Sequence, residues 1–213
     1  GAGEGDAPLM HPLFDRVAVD AAAFGFVVAL SLAMSARLFP LFFRVQLARS
    51  RGLRTAAWLL GVGIACDALA PLTGAPAWLA GIAALMEAAG IGVGIYAVRV
   101  FERRQVFPGD RGRYALRRDA PGLAVISAYA WVLVAGLLRL VQGLTALGVT
   151  EAVPFLSGVS RVPAHDLAWH AVGAGFMTML ILGVGYVLLP GFGGAKAVPP
   201  GWAWASLWLG NAA

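Results

Sequence analysis

Long apolar runs alternate with short arginine-bearing segments along this chain. The runs cover residues 17–43, 55–72, 77–100, 122–147 and 166–189. Each is near the roughly 20 residues a helix needs to cross about 30 Å of hydrocarbon. The second run stops at a turn marked by Pro71, Gly74 and Pro76, and the fifth stops at Pro190. Residues 202–213 are apolar but too short to span. The pattern predicts an all-α, polytopic transmembrane helix bundle with five spans and a partial sixth.

The polar segments orient the spans. Arg44, Arg49, Arg51 and Arg54 follow the first run, and Arg99, Arg103, Arg104, Arg111, Arg113, Arg117 and Arg118 follow the third. The segment after the second run has no Arg or Lys. The one after the fourth has Arg161 against Glu151, and the N-terminal tail has Arg16 against Glu4, Asp6 and Asp15. Basic loops stay on the cytoplasmic side, so the N-terminus is expected outside and the odd-numbered spans run inward. A bacterial inner membrane with a periplasmic N-terminus is the expected location. Trp58, Trp78, Trp169, Trp202 and Trp204 read as an interfacial belt, and Arg37 as a snorkelling residue at the inner end of the first span.

Part of the pattern repeats. Pro190 lies 150 residues after Pro40, and at that offset Gly25-Phe26 falls on Gly175-Phe176, Leu38 on Leu188 and Phe42 on Phe192. The expected organisation is an outer tail (1–16), a four-helix transmembrane unit (17–164) and the start of a second unit (165–213). Membrane proteins are often built from such repeats. A chain that opens on Gly1 and closes on a partial span is expected to be a piece of a longer protein.

Composition agrees. Hydrophobic residues make up 60% and charged residues 13%, where a soluble domain carries about 25% charged residues. The net charge of +5 resides in the loops, so it signals topology and not a nucleic-acid partner. The partners expected are the lipid bilayer and further helices of a longer chain or another membrane subunit. Cys66 is the only cysteine, which excludes an intramolecular disulfide and a cysteine metal cluster. Gly191, Gly193 and Gly194 follow a helix and not a strand, so they are no nucleotide loop.

Ionisable side chains in hydrocarbon are expensive and mark candidate sites. Topology places Asp20, Asp67, Arg139 and His170 at similar depth near the outer side, with Asp20 at the repeat position of His170. Glu87 is near mid-membrane, as a proton-relay acid or a neutral hydrogen-bonded carboxyl. Arg139 needs an acidic partner, and Asp67 is the first choice for a structural ion pair. The functional alternative is a polar cavity open to the outside, with Arg139 holding an anion. His170 is a candidate metal ligand, with Asp166 one helical turn before it to orient the ring. His165 lies about 140° from His170 on a helix, so it reads as a solvated loop residue and only a weak metal candidate. His11 is in the tail. Met177 and Met179 read as packing.

The stretch His170-Ala-Val-Gly-Ala-Gly-Phe-Met-Thr-Met-Leu-Ile-Leu-Gly-Val-Gly-Tyr-Val-Leu-Leu-Pro190 resembles a recurring helix of NnrS-like membrane proteins. Ala36-Arg37-Leu38-Phe39-Pro40-Leu41-Phe42 resembles a helix ending in the same family. The resemblance implies haem and copper as cofactors and a link to nitric-oxide and nitrosative-stress responses. It makes His170 an axial or copper ligand, Asp166 its orienting neighbour and Arg139 an anchor for a haem propionate. The segment Tyr186–Gly194 departs from the family's Gly-His-Thr-Gly-like turn and has no second histidine, so a second haem ligand would come from outside this chain. The alternative expectation is a small-solute or ion transporter that uses Asp67, Glu87 and Arg139.

Overall fold

A computed structural model describes residues 12–43, 45–102, 119–152, 163–194 and 198–212. The loop residues Arg44, Arg103, Arg104, Arg111, Arg113, Arg117, Arg118 and Arg161, and Glu4, Asp6 and His11 of the tail, lie outside the described residues. Among the described residues the chain is helical and has no strand. Five helices are long and apolar enough to cross a membrane: α1 (Phe14–Phe42), α2 (Ser50–Thr73), α3 (Ala77–Val98), α4 (Ala120–Ala146) and α6 (Ala164–Pro190). A single turn, α5 (Val149–Ala152), follows α4, and α7 (Pro200–Ala212) closes the described chain. All five spans overlap the expected runs. The expected partial sixth is α7, a 13-residue helix.

Local chemistry sets the helix ends. Gly74 takes a left-handed conformation (φ 62°) after α2, which glycine adopts without strain. Pro76 then stands at the N-cap of α3 in an extended conformation. Pro121 stands in the first turn of α4, where its missing N–H costs nothing. Arg99 ends α3 at φ 64° and is held there by Glu102, 2.9 Å from its Nε, and by a hydrogen bond to Gln46. Arg49 reaches the same corner, donating to Glu102 at 3.0 Å and to the Tyr96 carbonyl at 3.2 Å.

α4 occupies the middle of the bundle. It packs on α3 along one side and on α6 along the other, and it also touches α7. α2 packs mainly on α3, while α1 lies across α2, α3 and the start of α6. Lipid-embedded helices gain no hydrophobic drive from one another, so small residues and close backbone contact hold them together. Gly81 of α3 and Gly143 of α4 show this. A Cβ on Gly143 would come 2.8 Å from the Gly81 carbonyl oxygen and 2.7 Å from Leu85 Cδ2. The aromatic core lies nearer the other end of α4. Tyr129 stands edge-on to Phe39 and Phe176, with centroids 5.7 and 5.5 Å away, and donates to Ser35 Oγ at 2.6 Å. α7 docks through Asn211, which meets Ser127 and accepts from Trp131 Nε1 at 3.1 Å.

The outer faces are apolar. Phe26, Leu41, Trp58, Ile181 and Leu189 are each exposed by more than half. A face of this kind on five long helices belongs in a bilayer, and the chain is a multi-pass membrane protein.

The sequence pattern did not anticipate the wide, π-helical turns inside α1 and α6. They cover Ala21–Val28 and Ala171–Met177, beginning 150 residues apart, directly after Asp20 and His170. In the second, Gly175 sits against the indole of Trp131, 2.5 Å from where its Cβ would be.

The crossing of α3 and α4 makes a prediction. Gly143→Val is expected to destabilise the detergent-solubilised protein by about 1–3 kcal/mol through overpacking. Gly92→Val, at a position with nothing within 4 Å of a Cβ, is expected to leave the thermal midpoint unchanged within error.

Candidate functional site

Arg139 is 1% exposed and projects from the last third of α4 into a cluster drawn from four other helices. α1 contributes Asp20, α2 Asp67, α3 Glu87 and α6 His165. Asp20 Oδ1 lies 2.8 Å from Arg139 Nη2, and Asp67 Oδ2 lies 3.6 Å from the same nitrogen. Glu87 Oε2 is 2.8 Å from Arg139 Nε. Arg139 Nη1 donates to Gln142 Oε1 at 3.0 Å and lies 3.4 Å from His165 Nδ1. The guanidinium stands 4.4 Å over the Phe24 ring, which adds a cation–π contact. Every guanidinium nitrogen therefore faces a protein group. The planar fork of arginine suits this multiple pairing, which a lysine ammonium would not reproduce.

Burial makes these contacts obligatory. A charge taken out of water costs several kcal/mol, and its partners repay that only with close geometry. Glu87 is fully buried, and Asp20 is 4% exposed. Gly63 makes room for Glu87: a Cβ there would come within 2.9 Å of Glu87 Cγ and 3.0 Å of the Ala83 carbonyl oxygen. Asp20 also accepts from Trp169 Nε1 at 2.8 Å, so an α6 indole holds an α1 carboxylate. Trp169 stacks at a tilt on His165, centroids 4.3 Å apart.

The cluster contains three carboxyl groups and one guanidinium, so acids outnumber the arginine. Glu87 Oε1 and Asp20 Oδ2 are buried and have no hydrogen-bond partner among the described residues. Asp20 and Asp67 form the floor of a cavity of about 270 Å³. Exposed Arg16, Pro71 and Gly74 form its rim, between α1 and the turn that joins α2 to α3.

The structure thus brings Asp20, Asp67, Glu87 and Arg139 together, with Asp20 and Glu87 closer to the guanidinium than the Asp67 expected as its main partner. His165 corrects an expectation. It is not a solvated loop residue but lies in the first turn of α6, packed on Trp169 and beside Arg139. The helix begins directly after Pro163, earlier than the apolar run indicated. His170 stands apart from the cluster, exposed on α6, with Nδ1 2.8 Å from the Asp166 carbonyl oxygen. The orienting contact expected from the Asp166 carboxylate is therefore made by its backbone. Trp169 belongs to the cluster and not to a belt, while Trp58 and Trp202 are exposed by 74% and 70%. Gln142 and Trp169 went unrecognised. Their helical spacing from Arg139 (i+3) and His165 (i+4) was the available signal. Among the described residues no three His, Cys, Asp or Glu side chains converge in a way that would hold a metal ion.

Comparison of the chain with protein-family profiles, curated proteins and solved structures finds no match.

Removing the shared cation should cost far more than removing one acid. Arg139→Met is expected to destabilise the protein by about 3–5 kcal/mol, since it strands buried carboxylates. Asp67→Asn, which alters the longest ion pair, is expected to stay within about 1 kcal/mol of the parent. Thermal unfolding in detergent measures both.

Proposed function

We infer that this chain is part of a membrane transporter for a small solute or ion, with the Asp20–Asp67–Glu87–Arg139–His165 cluster as its proton-handling site. One observation carries the reading: three carboxyl groups share one buried guanidinium at the floor of a cavity. Three acids beside one buried arginine leave negative charge to be balanced by exposed Arg16 at the rim and by protons, and a proton is the smallest compensator. Arg139 occupies the centre, where a metal ion would meet its charge, so protons suit the site better. On the orientation expected from the arginine loops, the cavity faces the outside. Protons would enter beside Arg16, reach Asp20 and Asp67, and pass by Arg139 to Glu87 at mid-membrane.

Proton flux into vesicles tests this. The protein in liposomes holding a trapped pH-sensitive dye should acidify the lumen under an imposed potential, well above protein-free vesicles. Glu87→Gln should abolish that flux while the protein still reconstitutes. Equal flux for the parent, Glu87→Gln and empty vesicles would sink the reading.

A second reading rests on His170. Its Nδ1 is engaged by the Asp166 carbonyl, which turns Nε2 outward as a free donor atom. That arrangement fits a metal or haem ligand on an exposed helix face, as the resemblance to NnrS-like proteins implies. A bound haem would supply redox chemistry or a gas-binding iron. A second ligand would have to be supplied by another histidine or another membrane subunit. A Soret band in the purified protein, lost in His170→Ala, is the expected sign. A band unchanged by His170→Ala would assign the haem elsewhere.

A further inference from the structure

A second cavity opens toward the arginine-bearing end of the bundle. It measures about 350 Å³ and runs between α1 and α2. Small side chains make the slot: Ala29, Ala33 and Ala36 on one wall and Ala57 on the other. Along α2 the lining extends from Leu53 to Leu60, about 10 Å of helix at 1.5 Å per residue. The slot faces outward, since Ala33 and Ala57 are exposed and their neighbours Met34 and Trp58 are exposed by 50% and 74%. In a bilayer this face meets acyl chains.

Arg54 alone among the lining residues is charged. It projects from the first turns of α2, at the end where hydrocarbon gives way to headgroups. No Asp or Glu occurs in the sequence between Asp20 and Asp67. Among the described residues no carboxylate pairs with Arg54, whereas nearby Arg49 and Arg99 both pair with Glu102. A slot lined by alanines and leucines thus ends at a guanidinium that no carboxylate pairs with among the described residues, an arrangement that suits a phospholipid with its tail in the slot and its phosphate on the arginine. Arginine is well suited to phosphate, which it can grip with two parallel N–H donors. Basic pockets between membrane helices take anionic headgroups in this way.

We propose that the α1–α2 groove is a binding site for an anionic phospholipid, with one acyl chain along Ala29, Ala33, Ala36 and Ala57 and the phosphate on Arg54. The site is independent of the transport reading and lies at the opposite end of the bundle from Asp20. It would tether α1, which carries Asp20, to α2.

Native mass spectrometry of the detergent-purified chain tests it, with phosphatidylglycerol and phosphatidylcholine as probes at equal concentration. The parent should retain phosphatidylglycerol about fivefold over phosphatidylcholine. Arg54→Gln should abolish that preference, with phosphatidylcholine binding unchanged. Arg51→Gln, one turn away and outside the slot, should keep the preference. Ala33→Leu with Ala57→Leu should fill the slot and reduce retention of both lipids. No preference in the parent would overturn the proposal. So would equal losses in Arg51→Gln and Arg54→Gln, which would show diffuse surface attraction in place of a site.

Discussion

The bundle depends on the pairing of Arg139. Its guanidinium is as buried as any core leucine, yet it carries a full charge inside the bundle. Such a group is tolerated only where carboxylates come to it, and they come from three different helices. With His165 from a fourth, Arg139 ties α1, α2, α3 and α6 to α4. Apolar helices in lipid have no solvent-driven reason to choose one register over another. A polar knot that closes at only one set of rotations and depths supplies that choice. The glycines do the rest by letting backbones approach: Gly63 clears space for Glu87, and Gly81 faces Gly143.

The spans were readable because hydrocarbon enforces length and composition. Proline and glycine then marked the ends, as at Gly74 and Pro76. The shared depth of Asp20, Asp67 and Arg139 was also readable, from counting residues along spans of alternating direction. Three-body geometry was not. Depth says which groups lie level, but not that Asp20 and Glu87 would approach Arg139 more closely than Asp67. His165 was misplaced because its run of apolar neighbours starts after it, and only the fold shows Arg139 and Trp169 burying its ring. The wide turns at Ala21 and Ala171 left no trace in hydropathy, since an extra residue per turn does not change composition.

The two ends of the bundle differ in kind. At one, excess acid surrounds a single buried arginine and a cavity reaches it. At the other, Arg49 and Arg99 share the carboxylate of Glu102, and Arg54 stands over an apolar slot. α6 links its own half to the first by a polar contact, the Trp169 indole on the Asp20 carboxylate. Any change in how α6 sits against α1 is therefore felt first at an acid of the charged cluster.

The wide turn after Asp20 has a consequence of its own. An α-helix advances about 100° per residue, and a π turn takes up one residue more than an α turn. α1 is in effect two helices joined with a phase slip, one half oriented by Phe39 in the core and the other by Asp20 on Arg139. One residue's rotation, about 100°, is the scale that decides whether Asp20 faces its counter-ion. The wide turn thus sets the angle between the face of α1 that carries Asp20 and the face that carries Phe39.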